Sequence, residues 1–174
     1  MQTPSFKEDH VSQIPALQLL QNLGYAYLSP EEALQLRGGK TTAVLLEGIL
    51  KTQLEKINSI SYKGGHYTFS AQNVNAGLQA LKDLPMNEGY MAACEYAYNL
   101  LTLGKAVEQS IDGDKKSFTL QYIDWNPQTF LTNNVFHVTE EYSIMRSASK
   151  QHYRPDLVLF LNGTPLCLIA CQPP

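Results

Sequence analysis

The sequence is short of cysteine, of charge and of long apolar runs. Its three cysteines, Cys94, Cys167 and Cys171, are odd in number and lie in apolar sequence. That excludes a disulfide framework or a zinc site as the basis of the fold, and their apolar surroundings predict buried, reduced thiols. No apolar run approaches the roughly 20 residues of a membrane-spanning helix. The start, MQTPSFKEDH, lacks the basic-then-apolar order of a signal peptide, so the expected location is the cytoplasm. Thirteen Lys and Arg against sixteen Asp and Glu leave a net charge of −3. A chain without a basic excess is a poor autonomous binder of nucleic acid, although a local basic patch stays compatible with that balance. What is present is 44% hydrophobic residues in a chain of 174, enough to bury a core of its own as one soluble domain.

The first half reads as helices. Val11, Ile14, Leu17, Leu20 and Leu23 recur at three-residue steps and stop at Gly24, the residue that most readily ends a helix with a positive φ. Pro15 interrupts the stripe, so the helix either starts near Ser12 with Pro15 in its first turn or bends there. The spacing predicts further helices over residues 41–57, over 71–84 before Pro85, and over 88–103 before Gly104. After Gly104 the period changes. Phe118, Leu120 and Tyr122 alternate with polar residues after the turn Asp112-Gly113-Asp114, predicting a strand over 117–123, and residues 135–144 read as another. Two short apolar runs, 157–161 and 166–171, flank Asn162-Gly163-Thr164-Pro165, and Asn-Gly between such runs signals a hairpin. Helices followed by an antiparallel-leaning group of strands predict an α/β or α+β domain with a central sheet flanked by helices. An end just past the last strand predicts a fragment of a longer polypeptide.

Chemistry is expected at that hairpin. Asp156 opens one strand, while Ala170 and Gln172, two apart, share a face near the end of the other. Glu and Lys at those two positions would complete a divalent-metal site for phosphodiester hydrolysis. Two carboxylates would hold a hard cation, and the lysine would orient water and offset charge. Here the positions hold neither.

The stretch RPDLVLFLNGTPLCLIACQ resembles the nuclease motif of the PD-(D/E)xK superfamily. Specifically, it is similar to the N-terminal endonuclease domain of the R subunit of type I restriction enzymes, in which the segment runs RPDlvlfvNGlPlvviExK. Leu23-Gly24-Tyr25, Leu45-Leu46-Glu47, Ile57-Asn58, Asn99 to Gly104, Ile123 to Pro127 and Asn134-Val135-Phe136 follow one another in the order that family shows. The resemblance implies a restriction-endonuclease-like core with a mixed sheet, spanning 1–174 as the N-terminal part of a longer R subunit. It makes Asp156 the metal-binding aspartate, Ala170 the position of the family glutamate, Gln172 that of the lysine, and Glu8 an upstream helical carboxylate of the metal shell. It implies Mg²⁺ as cofactor, double-stranded DNA as substrate, and the methylation and specificity subunits as partners. ATP would act only through motor domains that this chain does not contain. Arg154 and His152, with Lys150 and Arg146, form a sparse basic run that could meet the DNA backbone.

The departures at Ala170 and Gln172 predict a nuclease that is impaired or dead, since losing such an electrostatic group costs about 10²–10³ in rate. The rival expectation is a non-catalytic, degenerate nuclease fold that contacts DNA or docks on another subunit. Other patterns carry less. Gly38-Gly39-Lys40-Thr41-Thr42 lacks the first glycine of a phosphate loop and follows no strand, so it reads as a loop and helix N-cap. His10, His66, His137 and His152 have no ligand spacing, Asp112-Gly113-Asp114 is a turn, and Trp125 reads as packing.

Overall fold

The computed structural model describes residues 12–145 and 151–171. Helix α1 (Ile14–Asn22) carries Pro15 in its first turn, which decides between the two readings of that proline. Steps of three lag behind the 3.6-residue turn, so Leu20 is buried while Ile14 and Leu23 stay exposed. Strand β1 (Ala26–Leu28) and helix α2 (Pro30–Leu36) follow. The second is set by a capping box, with the Ser29 hydroxyl accepting from the Glu32 backbone and the Glu32 carboxylate from that of Ser29.

Helix α3 (Glu47–Ile57) starts six residues later than the spacing predicts. The stretch before it has other backbone partners. Thr41 and Val44 carbonyls accept from the Met145 N–H and the Tyr142 hydroxyl, and the Leu46 N–H donates to the Gly163 carbonyl. Residues 38–42 are accordingly a loop, not a helix N-cap, with Gly38 and Gly39 at φ +70° and +71° closing the end of α2.

Next come the hairpin β2 (Ile60–Tyr62) and β3 (Gly65–Tyr67), helix α4 (Ala71–Lys82) and helix α5 (Tyr90–Leu103). The hairpin β4 (Lys105–Ile111) and β5 (Asp114–Leu120) and the short helix α6 (Phe130–Asn133) follow. Strand β5 lies slightly upstream of the predicted one. Tyr122, beyond it, is buried and donates its hydroxyl to the Gly77 carbonyl at 2.6 Å.

The predicted strand over 135–144 is split. Glu141 takes a φ of +50° and separates β6 (Phe136–Glu140) from β7 (Ile144–Met145), which pairs with β8 (His152–Tyr153). Strands β9 (Leu157–Leu161) and β10 (Thr164–Ile169) form the expected hairpin around Asn162 and Gly163, both at positive φ. The four-stranded sheet runs β1-β6-β9-β10, with β1 parallel to β6 and the other pairs antiparallel. It is the mixed sheet, with helices against it, that the sequence predicts.

Two compact units result, one of residues 1–47 and 135–174, the other of 48–134. In the first, Ala16, Leu17 and Leu20 of α1 cover Val138, Leu157 and Cys171 on one face of the sheet. On the alternate face Phe160 meets Tyr142 edge-on, and Arg37 lies 4.1 Å from the Tyr142 ring centroid. In the second, α4 packs so closely that a Cβ on Gly77 would come within 2.4 Å of Leu120 and 3.6 Å of Leu54. Two of the three cysteines correct the expectation of burial: Cys171 is buried, but Cys94 and Cys167 are exposed. Their elements, α5 and the edge strand β10, present apolar side chains to the surface. No helix among the described residues is long and apolar enough to cross a membrane.

Candidate active site

The hairpin register brings Asp156 and Ala170 together. Leu157 pairs with Ile169, so one step further Ala170 stands opposite Asp156 on the face that Val158 and Phe160 share by alternation. The aspartate is held from both sides. Its backbone carbonyl accepts the Glu141 N–H at 2.9 Å, and its Oδ2 accepts the Cys171 N–H at 2.7 Å. Asp156 is half-buried, and Ala170 is exposed. Pro155 is buried and fixes the backbone before Asp156.

Far from the site, the closing turn fixes this register. The buried Asn162 side chain accepts the Val135 N–H at 2.9 Å, and the Asn162 N–H donates back to the Val135 carbonyl at 2.9 Å. A one-residue slip would reverse every side chain of β10 and carry Ala170 away from Asp156.

A carboxylate that the sequence reading missed stands at the neighbouring strand end, on the α1 face that Leu157 shares and not on the face of Asp156. Glu140, paired with Leu157, accepts from Gln13 Nε2 at 3.1 Å and from the Tyr27 hydroxyl at 2.6 Å. Burial, and then the Glu140 hydrogen bond, push the Tyr27 hydroxyl up to about 12. The phenol therefore stays protonated and donating. The signal available in the sequence was the acidic pair Glu140-Glu141 at the end of an apolar strand. Glu141 forms an ion pair with Arg154, and His152 Nδ1 lies 3.0 Å from the Ser143 hydroxyl. Arg154 and His152 thus sit beside the site, each with a local partner.

Glu8 and Gln172, with Arg146 and Lys150, lie outside the described residues. Among the described residues no group of three His, Cys, Asp or Glu side chains could hold a metal ion. Asp156 offers one oxygen not engaged by Cys171, and Ala170 offers none. The described side chains therefore do not make a divalent-cation site, since next to Asp156 the hairpin carries the methyl group of Ala170.

The sequence model of a family described as the type I restriction enzyme R protein N terminus matches residues 5–172. A protein of Methanocaldococcus jannaschii named as a type I restriction enzyme MjaIXP endonuclease subunit is 28% identical over 178 residues. The match covers 96% of this chain and 15% of the relative's length. No solved structure matches the chain.

Proposed function

Because the chain belongs to the family of type I restriction enzyme R protein N termini, we propose that it is the nuclease domain of a restriction R subunit whose cutting activity is impaired. The reaction it is built around is metal-assisted hydrolysis of phosphodiester bonds in foreign double-stranded DNA, on a PD-(D/E)xK core. The observation that carries this reading is the register that sets Ala170 opposite Asp156. The strand end has the geometry for a paired-acid site and lacks the second acid. What the chain's own residues do is hold Asp156: Cys171 and Glu141 fix it, and Asn162 fixes the register. Of the described residues Asp156 is the one that would hold a Mg²⁺ ion, which would supply Lewis-acid chemistry at the phosphodiester, and Ala170 would offer it no ligand.

The match to 15% of the relative's length supports placing ATP use, and contact with methylation and specificity subunits, in other parts of the polypeptide and complex. A second reading, a non-catalytic module that touches DNA or another subunit, is favoured by the exposed methyl of Ala170 and by the neutralised pair Arg154–Glu141.

The test is nicking of supercoiled plasmid with Mg²⁺ and ATP by the complete enzyme, with the present chain set against Ala170→Glu plus Gln172→Lys. Cutting by the double variant alone supports the impaired nuclease, and each single variant should then fall about 10²–10³-fold short of it. Cutting by the present chain sinks the assignment of Asp156, Ala170 and Gln172. If neither cuts although ATP is consumed, the module reading stands.

A further inference from the structure

Helix α5 is apolar almost all the way round. Glu95 is its one charged residue in fourteen, yet among its residues only Ala93 and Leu100 are buried. A helix of that composition ordinarily has neighbours on every side. Here Met91 is 85% exposed and Tyr98 67%, and Cys94 is exposed between them. Met91, Cys94, Tyr98 and the half-buried Leu101 stand at i, i+3, i+7 and i+10, the a/d spacing of a seam that receives another helix. The stripe continues into a second apolar group. The Trp125 indole donates to the Leu101 carbonyl at 2.9 Å and stacks on Phe130 with 5.8 Å between centroids. Leu131, beside it, is 77% exposed. Contiguous apolar surface of this kind marks an interaction site, and large aromatics with two rotatable bonds are the side chains that anchor one.

We propose that the α5 stripe, with Trp125 at its C-terminal end, is the docking face for an apolar helix from the part of the R polypeptide outside this domain. The inference rests on the R-subunit reading, and three observations choose this occupant. The stripe carries no Lys or Arg, which excludes the phosphate backbone of DNA as its natural ligand. Its spacing is helical, so it fits a helix rather than an extended strand. And the matched relative has most of its length outside the region this chain covers, so the partner can be supplied in cis at high effective concentration.

Cys94 lies in the middle of the stripe and reports its coverage. In the full polypeptide, N-ethylmaleimide alkylation of Cys94, followed by peptide mass spectrometry, is expected to be at least tenfold slower than in the same polypeptide carrying Tyr98→Glu or Met91→Glu. Both substitutions fall on exposed positions, so the domain itself should fold unchanged, as circular dichroism would verify. Equal, rapid labelling in all three overturns the proposal. So does protection that fades on dilution, which would make the occupant a second copy, or protection that appears only when DNA is added. DNA-stimulated ATP hydrolysis by the same polypeptide is the separate control. If it is absent, the R-subunit reading fails; if it is present with Cys94 open, the docking face alone fails.

Discussion

Asp156 accepts the Cys171 backbone N–H at 2.7 Å, so the aspartate that opens one strand of the hairpin is fastened to the end of the other. The bond leaves Asp156 a structural duty that persists without any chemistry. Asp156→Ala strands a partly buried N–H and should lower stability by about 1–3 kcal/mol, read as a drop in the urea midpoint at unchanged slope. Asp156→Asn keeps an acceptor and should lose less. Equal losses would show that the carboxylate charge, not the acceptor, matters.

Asn162 combines two requirements that substitution can separate. Its φ is +51° and its side-chain oxygen accepts the Val135 N–H. Asn162→Gly relieves the backbone but forfeits the acceptor, at about 1–3 kcal/mol. Asn162→Ala forfeits both and should cost about 1 kcal/mol more, the usual price of a left-handed L-residue. Matching losses for the two would mean that backbone conformation contributes nothing there.

Gly77 has no room for a methyl group. A Cβ would meet Leu120 at 2.4 Å with Leu54 and Tyr122 behind it, so the gain in helix propensity is outweighed by overpacking, typically about 1–3 kcal/mol. Gly77→Ala should unfold earlier in urea, and Gly77→Ala with Leu120→Val should recover part of the loss. A Gly77→Ala protein as stable as the parent would contradict this packing.

His137 ties stability to pH. Burial lowers its pKa below the ordinary 6.5, so the unfolded chain takes up a proton that the folded chain resists. Its contribution is therefore intact above pH 6.5 and is lost as pH falls from there through the lower folded value. Urea midpoints measured between pH 7.5 and 5 should decline, and His137→Gln should flatten that decline. An unchanged slope in the variant would assign the pH dependence to other groups.

The parts of the fold legible in the sequence are those whose signals are local. Asn162-Gly163 between two apolar runs marked the β9–β10 hairpin, and Pro85 and Gly104 stood beyond the ends of α4 and α5. Strand β4 was not legible, because only Val107 and Ile111 of its seven residues are buried and its polar majority hides the alternation. The start of α3 was not legible either. Residues 41–46 look helical in spacing, but Gly163, Tyr142 and Met145 claim their backbone groups, and such claims come from positions about a hundred residues away. At the candidate site, the pairing of Asp156 with Ala170 followed from strand alternation. The Gln13–Glu140–Tyr27 cluster did not, since it joins three elements through side chains alone.

The exposure of Ala170 has a consequence for how such a domain can age. The register of its strand is set at the opposite end, by Asn162 and Val135, so position 170 can change without disturbing the hairpin. Folding therefore constrains Asp156 and Asn162 here and leaves position 170 open. A side chain at position 170 can thus change while the domain around it stays well formed.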